Sequence, residues 1–204
     1  MLVAACGKDS SSSSKSEDAG AIWLNGDFVV MAAEGASNNV FTQMNADFNS
    51  GSLRLGLTND LGYAKVGWKH PKVDLNTLTV KLEEDLVVTR FTLELPYEWK
   101  NLLGSTEKRR TFHVDVTLKM EMRIDEGIVI TNIKHKSATD LRGGDGDHRR
   151  QLNILTKLGD FFGSKSSEKM QEKLTEWFAA NGPEAIDLNN PNSGYIKDGN
   201  MVYK

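Results

Sequence analysis

The chain has 204 residues, 39% of them hydrophobic and 26% charged, with a net charge of −3. That is apolar side chain enough for a real core in one domain. It excludes three classes: the basic residues form no concentrated run for nucleic acid, a single cysteine leaves no internal disulfide, and no stretch approaches the roughly 20 apolar residues of a spanning helix.

The chain opens with Leu2-Val3-Ala4-Ala5-Cys6, a branched apolar residue and two small ones before a cysteine. This resembles the end of a bacterial lipobox. The resemblance implies a diacylglycerol on Cys6, removal of the preceding peptide and acylation of the new amine, with palmitate among the chains. It also implies the outer membrane, because Gly7 rather than aspartate follows the cysteine. A signal peptide needs a basic segment and a longer apolar one ahead of its cleavage site. Five residues precede Cys6, so the resemblance calls for a start further upstream or a shortened chain; otherwise the match is an incidental cysteine on a polar tail. Gly7 to Gly20 reads GKDSSSSSKSEDAG and cannot bury enough surface to order itself. Fourteen such residues span roughly 20 Å. Residues 1–20 are therefore expected to be a lipobox remnant and tether, and 21–204 a single domain.

Ile22–Leu24 and Phe28–Met31 flank Asn25-Gly26, which predicts a hairpin. Val40, Phe41, Met44 and Phe48 recur at helical spacing and predict a short helix within 37–48, stopped by Gly51. Leu53–Leu57, Tyr63–Trp68, Val73–Leu82 and Leu86–Leu95 read as strands separated by Asn59-Asp60, Pro71 and Glu84-Asp85. Thr111 to Ile124 alternates without a break. Phe112, Val114, Val116, Leu118, Met120, Met122 and Ile124 share one face, and His113 to Arg123 the other.

A three-residue loop, Asp125-Glu126-Gly127, would oppose Ile124 to Ile128 and Met122 to Ile130, keeping apolar pairs on one face; a two-residue loop would oppose Arg123 to an isoleucine. The longer loop is expected, with a bulge beyond Thr131 where Asn132 and Lys134 would otherwise turn inward. Two amphipathic helices follow. Ile154, Leu155, Leu158, Phe161 and Phe162 form one stripe, and Met170, Leu174, Trp177 and Phe178 the other. Gly163-Ser164 is expected to separate them, Ser166 or Ser167 to cap the second, and Gly182-Pro183 to end it. Gly194–Tyr203 reads as a strand or hairpin around Asp198-Gly199.

The expected fold class is α+β, a long curled antiparallel β meander packed on two amphipathic C-terminal helices. A strand of about 14 residues is roughly 46 Å long and must twist, leaving an apolar groove on its concave side. Across residues 37–204 the order and spacing of elements resemble YceB-like bacterial lipoproteins and the related tubular lipid-binding (TULIP-like) domains. That resemblance implies a half-barrel with an apolar cavity for a lipid or other hydrophobic ligand. The groove candidates are Phe112, Val114, Val116, Leu118, Met120, Met122, Phe161, Phe162, Met170, Trp177 and Phe178. Methionines suit irregular apolar ligands, but the same set reads first as a plain core under the helices. Trp68 and Trp99, near strand ends, are rim or core.

Other motifs are weak. Ser166-Ser167-Glu168-Lys169 contains S-x-x-K, but the S-D-N and K-T-G elements of penicillin-recognising enzymes do not occur. His70, His113, His135 and His148 show no metal-ligand spacing. Asp140 to Arg150, DLRGGDGDHRR, lacks the alternating ligands and late glutamate of a calcium loop; Asp145 or Asp147 is expected to cap the next helix. No catalytic residue, metal or cofactor is expected. Two functions remain: an outer-membrane-anchored, non-catalytic domain holding a lipid or other hydrophobic ligand, or an assembly lipoprotein docking another envelope protein.

Overall fold

The computed structural model describes residues 22–24, 26–57, 59–125, 128–144, 154–181, 194–197 and 199–203. In chain order they form β1 (Ile22–Leu24), α1 (Gly26–Ser50), β2 (Lys65–Trp68), β3 (Lys72–Glu83), β4 (Leu86–Lys100), β5 (Thr106–Asp125), β6 (Ile128–Gly143), α2 (Ile154–Asn181), β7 (Gly194–Lys197) and β8 (Asn200–Tyr203). This is an α+β fold, a curled antiparallel sheet that does not close, covered by two helices. Cys6, the tether, Glu126-Gly127, Asp145, Asp147, His148 and Gly182-Pro183 lie outside the described residues.

Strand β5 is the spine. Strand β4 runs beside it from Val87↔Met120 to Lys100↔Thr106, and β6 takes its other edge. Where β4 stops, β7 replaces it against Arg123 and Ile124, and β8 and then β1 continue the sheet. Strands β3 and β2 follow one another along the outer edge of β4. The sheet therefore has two distinct ends: the β4–β5 turn at one, and β1, β7 and β8 at the other.

The helices lie antiparallel on the inner face, α1 over β3 and α2 over β6. Phe48 meets Phe161 near one end, and Phe28 meets Trp177 near the other. Every alternate residue of β5 from Phe112 to Ile124 is at most 1% exposed, so the predicted period-2 face is the core face. On α1, Ala32, Ala33, Ala36 and Ser37 are buried, and these short side chains let the helix approach its neighbours closely.

Several elements differ from expectation. Asn25-Gly26 starts no hairpin: Phe28–Met31 are helical, and α1 begins at Gly26 rather than near Ser37. The glycine is there for close packing, since a Cβ would collide with the Gly199 carbonyl oxygen and crowd Leu82. Gly51, at φ 77°, stops the helix as predicted. Leu53–Leu57 is not a strand. The stripes expected on two C-terminal helices share the single α2. Gly163 sits inside it, against the Lys136 side chain, and Ser164 Oγ donates back to the Asp160 carbonyl. Ser166 and Ser167 are mid-helix rather than caps.

The β5–β6 register also differs. Asp125 pairs with Ile128, Ile124 with Val129 and Met122 with Thr131, so two residues rather than three separate the paired ends. A buried face still sets the register, but on β6 it carries Val129 and Thr131, with Ile133 partly buried against the core. Thr131 Oγ1 is accommodated because it donates to the Ser167 carbonyl at 3.0 Å. The expected irregularity is present: Met120 pairs with Ile133 and Lys119 with His135, which leaves Lys134 as the extra residue. The predicted terminal hairpin forms, with Lys197 opposite Asn200. The Gly199 amide donates to Asp85 Oδ1 at 2.7 Å and ties it to the β3–β4 turn.

Candidate functional site

The groove candidates are brought together at the sheet–helix interface. Phe112, Val114, Val116, Leu118, Met120 and Met122 of β5 are buried, as are Phe162, Met170 and Phe178 of α2; Phe161 and Trp177 are partly buried against them. The rings pack on one another. Phe91 of β4 lies 4.4 Å from Phe41 and 5.1 Å from Phe162, centroid to centroid, and Tyr97 stacks on Phe112 at 4.7 Å. The Ser37 hydroxyl donates to the Met170 sulfur at 3.8 Å. These residues form the interior of the domain.

Open space lies at the end of that interior, where the helices stop short of the β4–β5 turn. There the inner face is covered by the extended segment 51–59. A cleft of about 510 Å³ separates this segment from the sheet. Leu53, Leu55 and Leu57 line one wall, Val66, Trp68 and Leu95 the other, and Phe48 the end nearest α1. Its size falls in the range of small-molecule sites. The cause is local. Residues 52, 54 and 56 are exposed while 53, 55 and 57 are half-buried, so the segment has strand-like alternation without a strand partner.

Both ends of this wall are anchored. The Leu53 amide donates to the Asp47 carbonyl at 3.1 Å, and Ser50 Oγ and Ser52 Oγ donate to the same oxygen. The Val66 amide donates to the Asn59 carbonyl at 2.7 Å. His70 donates from Nδ1 to the Phe48 carbonyl at 2.7 Å, joining β2 to the end of α1. Gly56 takes a left-handed φ of 64° with open space around it. Trp68 packs against Tyr97 and lines the cleft, whereas Trp99 is 8% exposed and belongs to the core.

The outer face of the sheet is polar and cross-linked by charge. Asp115 receives both Arg142 nitrogens, at 2.6 and 2.7 Å, and the Thr92 hydroxyl at 2.8 Å. The Arg142 guanidinium foremost holds the Asp115 carboxyl below its usual range. Arg90 does the same for Glu83. Glu98, its side chain only 12% exposed, is surrounded by Lys69, Arg109 and Lys100 at 3.2–3.6 Å, and Lys69 foremost lowers its pKa.

Of the other motifs, S-x-x-K is split by its surroundings. Ser166 Oγ is buried with no hydrogen-bond partner, Ser167 Oγ donates to the Thr131 carbonyl, and Lys169 pairs with Asp47 at 3.0 Å. His113 lies opposite Arg142, and His135 opposite Lys119. Among the described residues no cluster of three or more metal-ligating side chains occurs. None of their helices is long and apolar enough to cross a membrane.

Sequence reasoning missed the cleft. Its signal, the alternation of Leu53, Leu55 and Leu57, was visible but reads as a strand when no partner is known. The chain matches no family model and no curated protein sequence.

Proposed function

We propose that this chain is a lipid-anchored, non-catalytic protein of the bacterial cell envelope, of the YceB-like, TULIP-like kind, that holds a lipid or other hydrophobic ligand in the cleft between segment 51–59 and β2. The observation that carries the reading is the cleft itself, about 510 Å³ with seven leucine, valine, tryptophan and phenylalanine side chains around it. Its wall lacks sheet pairing and can move without breaking a ladder, which suits ligands of varied shape. The Phe112–Met122 face and α2 form the rigid body behind it. The VAAC sequence and Ser-rich segment support acylation at Cys6 and an outer-membrane location.

Mass spectrometry of gently purified protein is expected to reveal a co-purified apolar molecule, and a fluorescent fatty acid should bind the emptied protein. Leu55→Asp, which places an unpaired carboxylate in the wall, and Trp68→Ala should each weaken the probe at least tenfold without changing the far-UV spectrum. Protein that carries no ligand and ignores the probe would falsify the cleft assignment. Labelling cells with a palmitate analogue should mark the wild type and not Cys6→Ser.

A further inference from the structure

The β4–β5 turn presents two leucines to solvent for which the fold has no use. Leu102 is 58% exposed and Leu103 92%. Turn positions ordinarily go to Asn, Gly, Asp or Ser, whose conformations or short polar side chains suit the bend. Here the turn is already built by others. The Gly104 amide, at φ 85°, donates to the Asn101 carbonyl at 2.9 Å; the Asn101 amide donates to the Ser105 carbonyl, and the Ser105 amide to Asn101 Oδ1, both at 3.0 Å. The leucines are therefore held out on a fixed turn. Tyr63, 54% exposed, stands behind them, 6.4 Å from Trp99. Three of the five large apolar side chains exposed among the described residues thus gather at this one end.

Charge is concentrated at the same end. Residues 60–69 and 97–110 carry six cations (Lys65, Lys69, Lys100, Lys108, Arg109, Arg110) and three carboxylates (Asp60, Glu98, Glu107), in a chain whose net charge is −3. Antiparallel pairing assembles this collar from separate segments: Lys65 lies opposite Lys100, and Trp99 opposite Lys108. Apolar tip, aromatic shoulder and cationic collar, in that order, are the layers of a bilayer surface read from acyl chains to headgroups. A nucleic-acid backbone would be met by the cations but would leave the leucines unmatched.

We propose that the β4–β5 hairpin tip docks into an anionic lipid surface, with Leu102 and Leu103 entering the acyl boundary and the collar meeting the headgroups. The docking is independent of acylation at Cys6 and of any ligand in the cleft. The test is co-sedimentation of the full chain carrying Cys6→Ser with vesicles of phosphatidylcholine alone and with about one-third phosphatidylglycerol. Binding is expected to the anionic vesicles, to weaken at least tenfold for Leu102→Asn with Leu103→Asn, and to fall away near 1 M salt, where the Debye length is about 3 Å. Lys108→Glu with Arg110→Glu should lose the preference for anionic lipid. Both pairs are exposed, and an unchanged thermal melt establishes that the variants fold. Equal binding to both vesicles, no binding, or binding indifferent to the leucines overturns the proposal. So does concentration-dependent self-association that the leucine variant abolishes, which would make the occupant a second copy of this chain.

Discussion

Phe91→Ala decides whether the space between sheet and helices is a packed core or a ligand chamber. The Phe91 ring is 2% exposed and meets Phe41 of α1 and Phe162 of α2, so it joins the sheet to both helices. Removing the ring loses about 2 kcal/mol of transfer free energy. If the helices do not collapse inward, a void of about 100 Å³ adds about 2 kcal/mol more at about 24 cal/mol per Å³. The expected loss is about 4 kcal/mol, or about 8–16 °C in Tm for a domain of this size. Urea unfolding followed by circular dichroism reads it directly, as a lower midpoint at unchanged slope. Phe91→Leu should cost about 1.5 kcal/mol or less. A loss for Phe91→Ala below about 1.5 kcal/mol would mean that the ring already borders empty space. The ligand would then belong between the sheet and the helices rather than in the end cleft.

Ser166→Ala should leave stability unchanged or raise it by up to about 1 kcal/mol, because it removes a buried hydroxyl without a partner; Ser167→Ala should lose about 1 kcal/mol with its bond to Thr131. A penalty at Ser166 in urea titration would contradict the hydroxyl's orphan state. Gly26→Ala should lower Tm through its collision with the Gly199 carbonyl, at a cost of about 1–3 kcal/mol. Acid should destabilise the domain in a defined direction. Asp47, Glu83, Glu98 and Asp115 all have folded pKa values below their ordinary ones, so their stabilisation is full above about pH 4–5 and is lost as pH falls through the depressed values. The urea midpoint should be flat from about pH 7 to 5 and then fall, less steeply in Asp115→Asn; a midpoint that rises on acidification would reverse the sign.

The elements legible in the sequence were those whose local pattern and tertiary role agree. Phe112 to Ile124 alternates because one face meets helices and the other meets water, and nothing distant alters that. The misreadings share one cause, a local signal overridden by a contact far along the chain. Gly26 looks like a turn glycine, but it answers to Gly199 and Leu82. Gly163 looks like a helix end, but α2 runs through it, packed against β6. The β6 register was argued from its isoleucines, yet Thr131 faces inward because Ser167 of α2 offers it a partner. The cationic collar escaped composition for the same reason: Lys65 and Lys100 become neighbours only through β2–β4 pairing.

The placement of β1 gives the molecule a polarity. Residues 1–21 join the domain through β1, beside β8 and β7, which pair with the Arg123–Ile124 end of β5. The leucine turn precedes Thr106, at the other end of that strand. Eighteen residue steps of β5 separate Thr106 from Ile124, roughly 60 Å along a straight strand and less along a curled one. With the proposed acyl anchor at Cys6, the long strand would be a measuring rod: it would set how far the hairpin stands from β1, where the segment that follows the anchor joins the domain. Removing paired residues from β4, β5 and β6 would shorten the rod by about 6.6 Å for every two residues. A protein fastened at one membrane would in this way reach a surface facing that membrane before it could fold back onto its own.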